Sequence, residues 1–149
     1  MNSSNHNNTI IFGIGNSARQ DDGLGWAFLD KIGKTGFFGG EKQYCYQLNI
    51  EDAEILANYD KVFFVDAYEG NDIKDFKIEK CKSNGEITYT THALSPDAVL
   101  ALCENIYKKN PEAYIIKIKG YKWNLEEGIS EKAKSNLKSA IIYFRDKYF

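Results

Sequence analysis

The stretch TIIFGIGNSARQDDGLG, residues 9–25, decides the fold. Its first four letters are β-branched or aromatic and stop at Gly13, which predicts a short buried strand over 9–12. Leu24, Ala27, Phe28 and Ile32 then recur near helical spacing, with Asp22 in position to cap the helix and Gly33 to end it. The opening unit is therefore strand, loop, helix. Gly13, Gly15 and Ala18 also satisfy the loose glycine fingerprint of dinucleotide-binding loops, so the loop is either a phosphate cradle or a frame for Asp21 and Asp22.

The phosphate cradle fits poorly. Such a loop needs the helix to start within a residue or two of Ala18, because backbone N–H groups and the positive helix end must face the pyrophosphate. Here Arg19 and Gln20 intervene, followed by the acidic pair Asp21-Asp22, which would repel it. No acidic residue sits at the expected distance for a ribose hydroxyl, since Asn49 and Glu51 come later, and no Gly-Lys-Ser/Thr follows for Walker-type binding. In the alternative, the glycines let the loop turn tightly, one aspartate caps the helix and the other projects into a crevice.

Further along, residues 44–48 suggest a second strand and 52–58 a short helix. Val62, Phe63, Phe64 and Val65 form a continuous apolar run, the mark of a central strand covered on both faces, with Asp66 at its carboxyl end. Residues 76–80 and 87–91 suggest a hairpin or antiparallel edge around the Asn84-Gly85 turn, and His92 follows. Ser95-Pro96 starts a helix whose apolar face takes Ala98, Leu100 or Ala101, Leu102 and Ile106, ended by Asn110-Pro111. A last strand is expected over 114–118 and a long helix from Ser130, with Ala133, Leu137, Ala140, Ile141 and Phe144 on its apolar side.

Alternating strands and helices predict a doubly wound α/β fold, a mostly parallel sheet of about five strands with helices on both faces. Ligands of such sheets bind beyond the carboxyl ends of the strands. Right-handed crossovers allow the first and third strands to be neighbours, which brings Asp21 or Asp22 towards Asp66. Residues 9–149 read as a single domain, and the polar stretch 1–8, which includes His6, as a disordered tail.

The chain carries 19 basic and 21 acidic residues, a formal charge of -2, so no broad cationic field favours nucleic acid or anionic lipid. No apolar run approaches the roughly 20 residues needed to span a bilayer, and no signal peptide is evident. Cys45, Cys81 and Cys103 form no CxxC pair, consistent with reduced thiols in the cytoplasm. Trp26 and Trp123 are expected at packing or rim positions and Glu126-Glu127 on a solvated loop. There is no G-x-S-x-G elbow and no H-E-x-x-H. Asp22, Asp66 and His92 each have an ordinary structural use, but together, in loops at one end of the sheet, they supply oxygen and nitrogen donors suited to a borderline divalent metal.

These pieces resemble the nickel-iron hydrogenase maturation proteases. The likeness rests on GIGNSARQDDGLG at the first strand, VFFVDA at the third, THALSPDAVLAL around His92 and GISEKAKSNLKSA leading the last helix, in the family's order. It implies the maturation-protease type of α/β fold and an endopeptidase that removes a C-terminal extension from the precursor of the hydrogenase large subunit. It assigns the metal-contacting and catalytic positions to Asp22, Asp66 and His92, with Gly15, Asn16, Asp21 and Gly23 as the frame. It further implies nickel brought by the substrate rather than a resident catalytic metal, a cytoplasmic location and a monomer. The segment YEGNDIKDF after Asp66 departs from the family, lacking its Pro-Gly-Thr turn. Two other readings stay open: a flavodoxin-like mononucleotide-binding module, and a non-catalytic metal-sensing relative of the protease.

Overall fold

The computed structural model describes residues 8–83 and 94–149. The chain forms β1 (Thr9–Ile14), a 3-10 turn (Gln20–Gly23), α1 (Leu24–Thr35), β2 (Glu41–Cys45), α2 (Asp52–Leu56), β3 (Lys61–Tyr68), β4 (Phe76–Lys80), α3 (Pro96–Tyr107), β5 (Glu112–Lys119) and α4 (Glu131–Tyr148). The strands make one sheet in the order β2-β1-β3-β5-β4. β4 alone runs antiparallel, and it pairs with β5. The expected partner at 87–91 lies outside the described residues.

Side chains of successive strand residues point to opposite faces, and both faces are covered. Ile10, Phe12, Val62 and Phe64 pack against α2 and α3. Ile11, Phe63, Val65, Ile116 and Ile118 pack against α1 and α4. The second face is dense in rings: Phe63 meets Phe144 edge-on at 4.9 Å and stacks on Tyr114 at 5.4 Å.

Several local expectations shift. α1 continues through Gly33 and ends at Gly36, whose φ of 75° is the left-handed conformation that closes a helix most cheaply in glycine. β2 lies earlier than residues 44–48 because its pairing with β1 runs from Ile10↔Glu41 to Ile14↔Cys45. Ile106 is 54% exposed instead of facing the core. Ser95 caps α3 as anticipated, its Oγ accepting the Ala98 N–H at 3.1 Å, with Pro96 in the first turn. The three cysteines are free, with Cys81 and Cys103 buried.

Phe63 anchors the ring cluster, so Phe63→Ala is expected to lower the unfolding free energy by about 3–5 kcal/mol, measured by denaturant titration. Ile106→Ala should change it by less than about 0.5 kcal/mol.

Candidate active site

The β1–α1 loop closes on its own backbone. Gly15 leaves the strand at φ +137°, a region closed to most side chains, and a Cβ placed there would lie 2.0 Å from the Asp22 carbonyl oxygen. That carbonyl accepts the Asn16 N–H at 3.0 Å, and the Asp22 N–H donates to the Arg19 carbonyl at 3.0 Å. The Asn16 side chain adds a further brace by accepting the Ala18 N–H through Oδ1 at 2.9 Å. Behind the loop, Gly13 and Gly25 let α1 lie directly on the sheet. A Cβ on Gly13 would meet the Gly25 carbonyl and Leu29, and one on Gly25 the carbonyls of Ile14 and Val65. These glycines serve helix packing, and α1 begins only at Leu24, well past Ala18. The loop therefore lacks the N–H cradle that a pyrophosphate needs.

The two adjacent aspartates have different tasks, and neither is the helix cap that the sequence suggested. The N-cap is Gly23, with no side-chain cap bond. Asp21 is fully buried. Its carboxylate accepts the N–H groups of Tyr121, Lys122 and Ser130 and the Ser130 hydroxyl, at 2.7 to 3.0 Å. Burial opposes its charge, but these bonds, led by the Ser130 N–H, hold its carboxyl below the usual range. Gln20, at φ 47°, extends the grip: its backbone N–H donates to the Glu126 carbonyl and its Oε1 accepts the Asn124 N–H. Gln20 and Asp21 thus clamp the segment between β5 and α4 while turning the next residue the other way.

That next residue, Asp22, lines a cleft of about 490 Å³ together with Asp66, Gly15, Tyr46, Gln47 and Leu94. Asp66 does not end its strand, because β3 stays paired with β5 through Tyr68↔Lys119. It stands where β1 stops accompanying β3, whose shared ladder finishes at Gly13↔Val65. The gap left by the departing β1 chain is the crevice, at the carboxyl ends of the parallel strands.

The carboxylates perturb each other. Burial, and then the charge of Asp22, push Asp66 up to about 7, with the Ala67 N–H acting the other way. Asp22 is raised as well, chiefly by burial, with Arg19 and the Asn16 N–H offsetting part of the effect. An aspartate that titrates near neutral pH beside a second carboxylate in one cleft can take up or release a proton there, the condition for general acid–base work.

Of the three site residues expected from the sequence, Asp22 and Asp66 share the cleft, and His92 lies outside the described residues. Among the described residues, no three His, Cys, Asp or Glu side chains group closely enough to hold a metal ion. Cys45 and Asp52 had not been singled out. The half-buried Cys45 thiol is pushed up to about 12 by burial and by the charges of Asp52 and Asp66, so it remains protonated. Asp52 accepts the Asn49 N–H at 2.9 Å, bracing the loop after β2. No sequence motif marked Cys45, since its nearness to Asp66 arises from sheet order.

An open, mostly parallel α/β sheet with a carboxylate pair at its switch between strands defines the class. No family model and no curated protein matches the sequence. Among solved structures, the fold is similar to that of [NiFe] hydrogenase maturation proteases. The hydrogenase maturating endopeptidase HybD from E. coli superposes with a TM-score of 0.70 at 14% identity, covering 94% of this chain and 93% of that one. The maturation protease HycI from Thermococcus kodakarensis gives 0.68 at 20% identity, over 93% and 90%. The hydrogenase 2 maturation peptidase from a Thaumarchaeota archaeon gives 0.68 at 17% identity, over 93% and 95%. At these identities the likeness is one of fold.

Two measurements separate the roles of the aspartates. Asp21→Asn replaces an anionic acceptor with an amide and is expected to cost at least about 2 kcal/mol of stability, whereas Asp22→Asn should leave the unfolding midpoint at neutral pH unchanged or higher. Because the folded-state pKa of Asp66 is raised, the unfolded chain gives up this proton first, and stability falls as pH climbs from about 4 to about 7. Asp66→Asn removes that dependence. Its unfolding free energy relative to wild type should improve by roughly 2–4 kcal/mol between pH 4 and pH 8, and an equal pH slope in both proteins would refute this assignment.

Proposed function

We propose that this chain is an endopeptidase that removes a C-terminal extension from the nickel-loaded large-subunit precursor of a [NiFe] hydrogenase. The observation that carries this reading is the placement of Asp22 and Asp66 in one cleft where β1 departs from β3, in a fold similar to that of hydrogenase maturation proteases. Asp22, Asp66 and His92 are the residues offered to the metal, which arrives as part of the substrate. Two carboxylates and one imidazole are fewer and weaker donors than a structural zinc site employs, and suit a cation that binds and departs with its carrier.

In the reaction, water adds to the carbonyl carbon of one peptide bond and the carbon–nitrogen bond breaks. A carboxylate of the pair accepts the proton of the attacking water, and the amine of the released segment receives one. The raised proton affinity of Asp66 suits it to hold that proton between the two steps. Nickel held by these residues would supply Lewis-acid polarisation of the carbonyl that is attacked. In this reading the protein acts as a monomer in the cytoplasm.

The loop after Asp66 supports a second reading, a relative that holds metal and precursor without cutting. The segment lacks the Pro-Gly-Thr sequence; β3 continues through Tyr68, and the Tyr68 hydroxyl donates to the Asp72 carboxylate. A single assay divides the two. Purified protein is incubated with nickel-loaded and nickel-free precursor, and the C-terminal peptide is sought by mass spectrometry. Release only from the loaded precursor, with Asp22→Asn lowering the rate by at least about 100-fold, is the expected result. Binding without release selects the non-catalytic relative. Cleavage unchanged in Asp22→Asn would overturn the site assignment.

A further inference from the structure

The sheet ends at β2, beyond which no described strand lies. In a parallel ladder, alternate residues turn both backbone groups to the same side. Cys45 gives its carbonyl to the Gly15 N–H at 3.0 Å, opposite Ile14↔Cys45, so it faces β1 and Glu41 and Gln43 share that side. Lys42 and Tyr44 consequently turn their N–H and C=O groups to the open edge. The edge is held firmly: the Tyr44 hydroxyl donates to Asp30 Oδ1 at 2.6 Å, and its ring meets Trp26 edge-on at 6.0 Å. The Trp26 indole in turn donates to the Cys45 carbonyl at 3.0 Å.

The edge also leads somewhere. Tyr46 and Gln47, the next residues of the chain, line the cleft that holds Asp22 and Asp66, whereas β4, the outer strand on the other side, contributes no residue to it. Tyr46 is 69% exposed, with its ring 5.3 Å from Trp26. A rigid strip of backbone groups with no strand partner among the described residues thus runs into an exposed aromatic ring and then into the carboxylates.

We propose that the segment of the precursor carrying the scissile bond binds as an added strand along β2, bonding to the outward groups of Lys42 and Tyr44 and passing over Tyr46 into the cleft. This rests on the endopeptidase reading above. Backbone pairing supplies affinity with little dependence on side chains, and alternate side chains of the added strand face the Tyr46–Trp26 platform. Registering the segment on a rigid strand sets its distance from Asp22 and Asp66, which matters because hydrolysis needs one particular bond in place.

The test is residue-level amide hydrogen exchange on Asp22→Asn protein, alone and saturated with nickel-loaded precursor, beside steady-state cleavage by wild type and by Lys42→Pro. Proline is tolerated where an edge N–H faces solvent, and Lys42→Ala controls for loss of the side chain. The expected result is exchange slowed at least about tenfold at both Lys42 and Tyr44 on binding, and a KM for precursor raised about tenfold in Lys42→Pro with Lys42→Ala near wild type. Should Lys42→Pro fail to fold, the exchange data decide alone. Cleavage by wild type with edge exchange unchanged overturns the added strand and leaves the endopeptidase standing. Absence of both binding and cleavage removes both. Protection that follows protein concentration and not precursor assigns the edge to a second copy of the chain, and also overturns the proposal.

Discussion

The approach of Gly15 to the Asp22 carbonyl is the constraint on which the site depends. At 2.0 Å from a hypothetical Cβ, that oxygen leaves room for hydrogen alone. The contact folds residues 15–22 into a closed loop, and the closure dictates which way each of two consecutive aspartates must look. Successive residues in a tight 3-10 turn point in different directions, so once Asp21 is drawn into the protein, Asp22 is turned towards the crevice.

Drawing Asp21 inward binds together parts of the chain that lie far apart in sequence. Its four hydrogen bonds reach the segment between β5 and α4, and Asn136 on α4 adds another by donating to the Lys119 carbonyl at 3.0 Å. The wall of the site is thereby made part of the core instead of a free loop. The anion survives burial because every bond it accepts favours its charged form. Asp66 has one backbone bond and a charged neighbour, so the balance tips the other way and its proton is held to about 7. Two carboxylates of the same intrinsic acidity are separated by their surroundings alone.

Much of this was legible in the linear chain. The continuous apolar run at residues 62–65, the period of α4 and the Ser95-Pro96 start each report a local preference that tertiary packing reinforced. The fold class and the neighbouring positions of β1 and β3 followed from the alternation of elements and the handedness of crossovers. The same local rules misplaced details wherever a neighbour had the deciding role. β2 is set by its register on β1, not by apolar burial, since Glu41, Lys42, Gln43 and Tyr44 are all exposed. Gly33 did not stop α1, since a glycine inside a helix costs only about 1 kcal/mol and the packing of Ile32 on the sheet outweighs it.

The sequence by itself determined that this is a doubly wound α/β chain, and that Asp22 and Asp66 come together at one end of its sheet, because hydrophobic periodicity and turn chemistry are properties of neighbours along the chain. Only the tertiary structure decided that Asp21 is a buried clamp while Asp22 lines the cleft, that Asp66 lies within a strand and opens onto that cleft where β1 departs, and that Cys45 comes within reach of the charges of both Asp52 and Asp66. Those facts depend on distances between residues remote in sequence, and on the electrostatic cost of burying charge that only a closed, packed interior imposes.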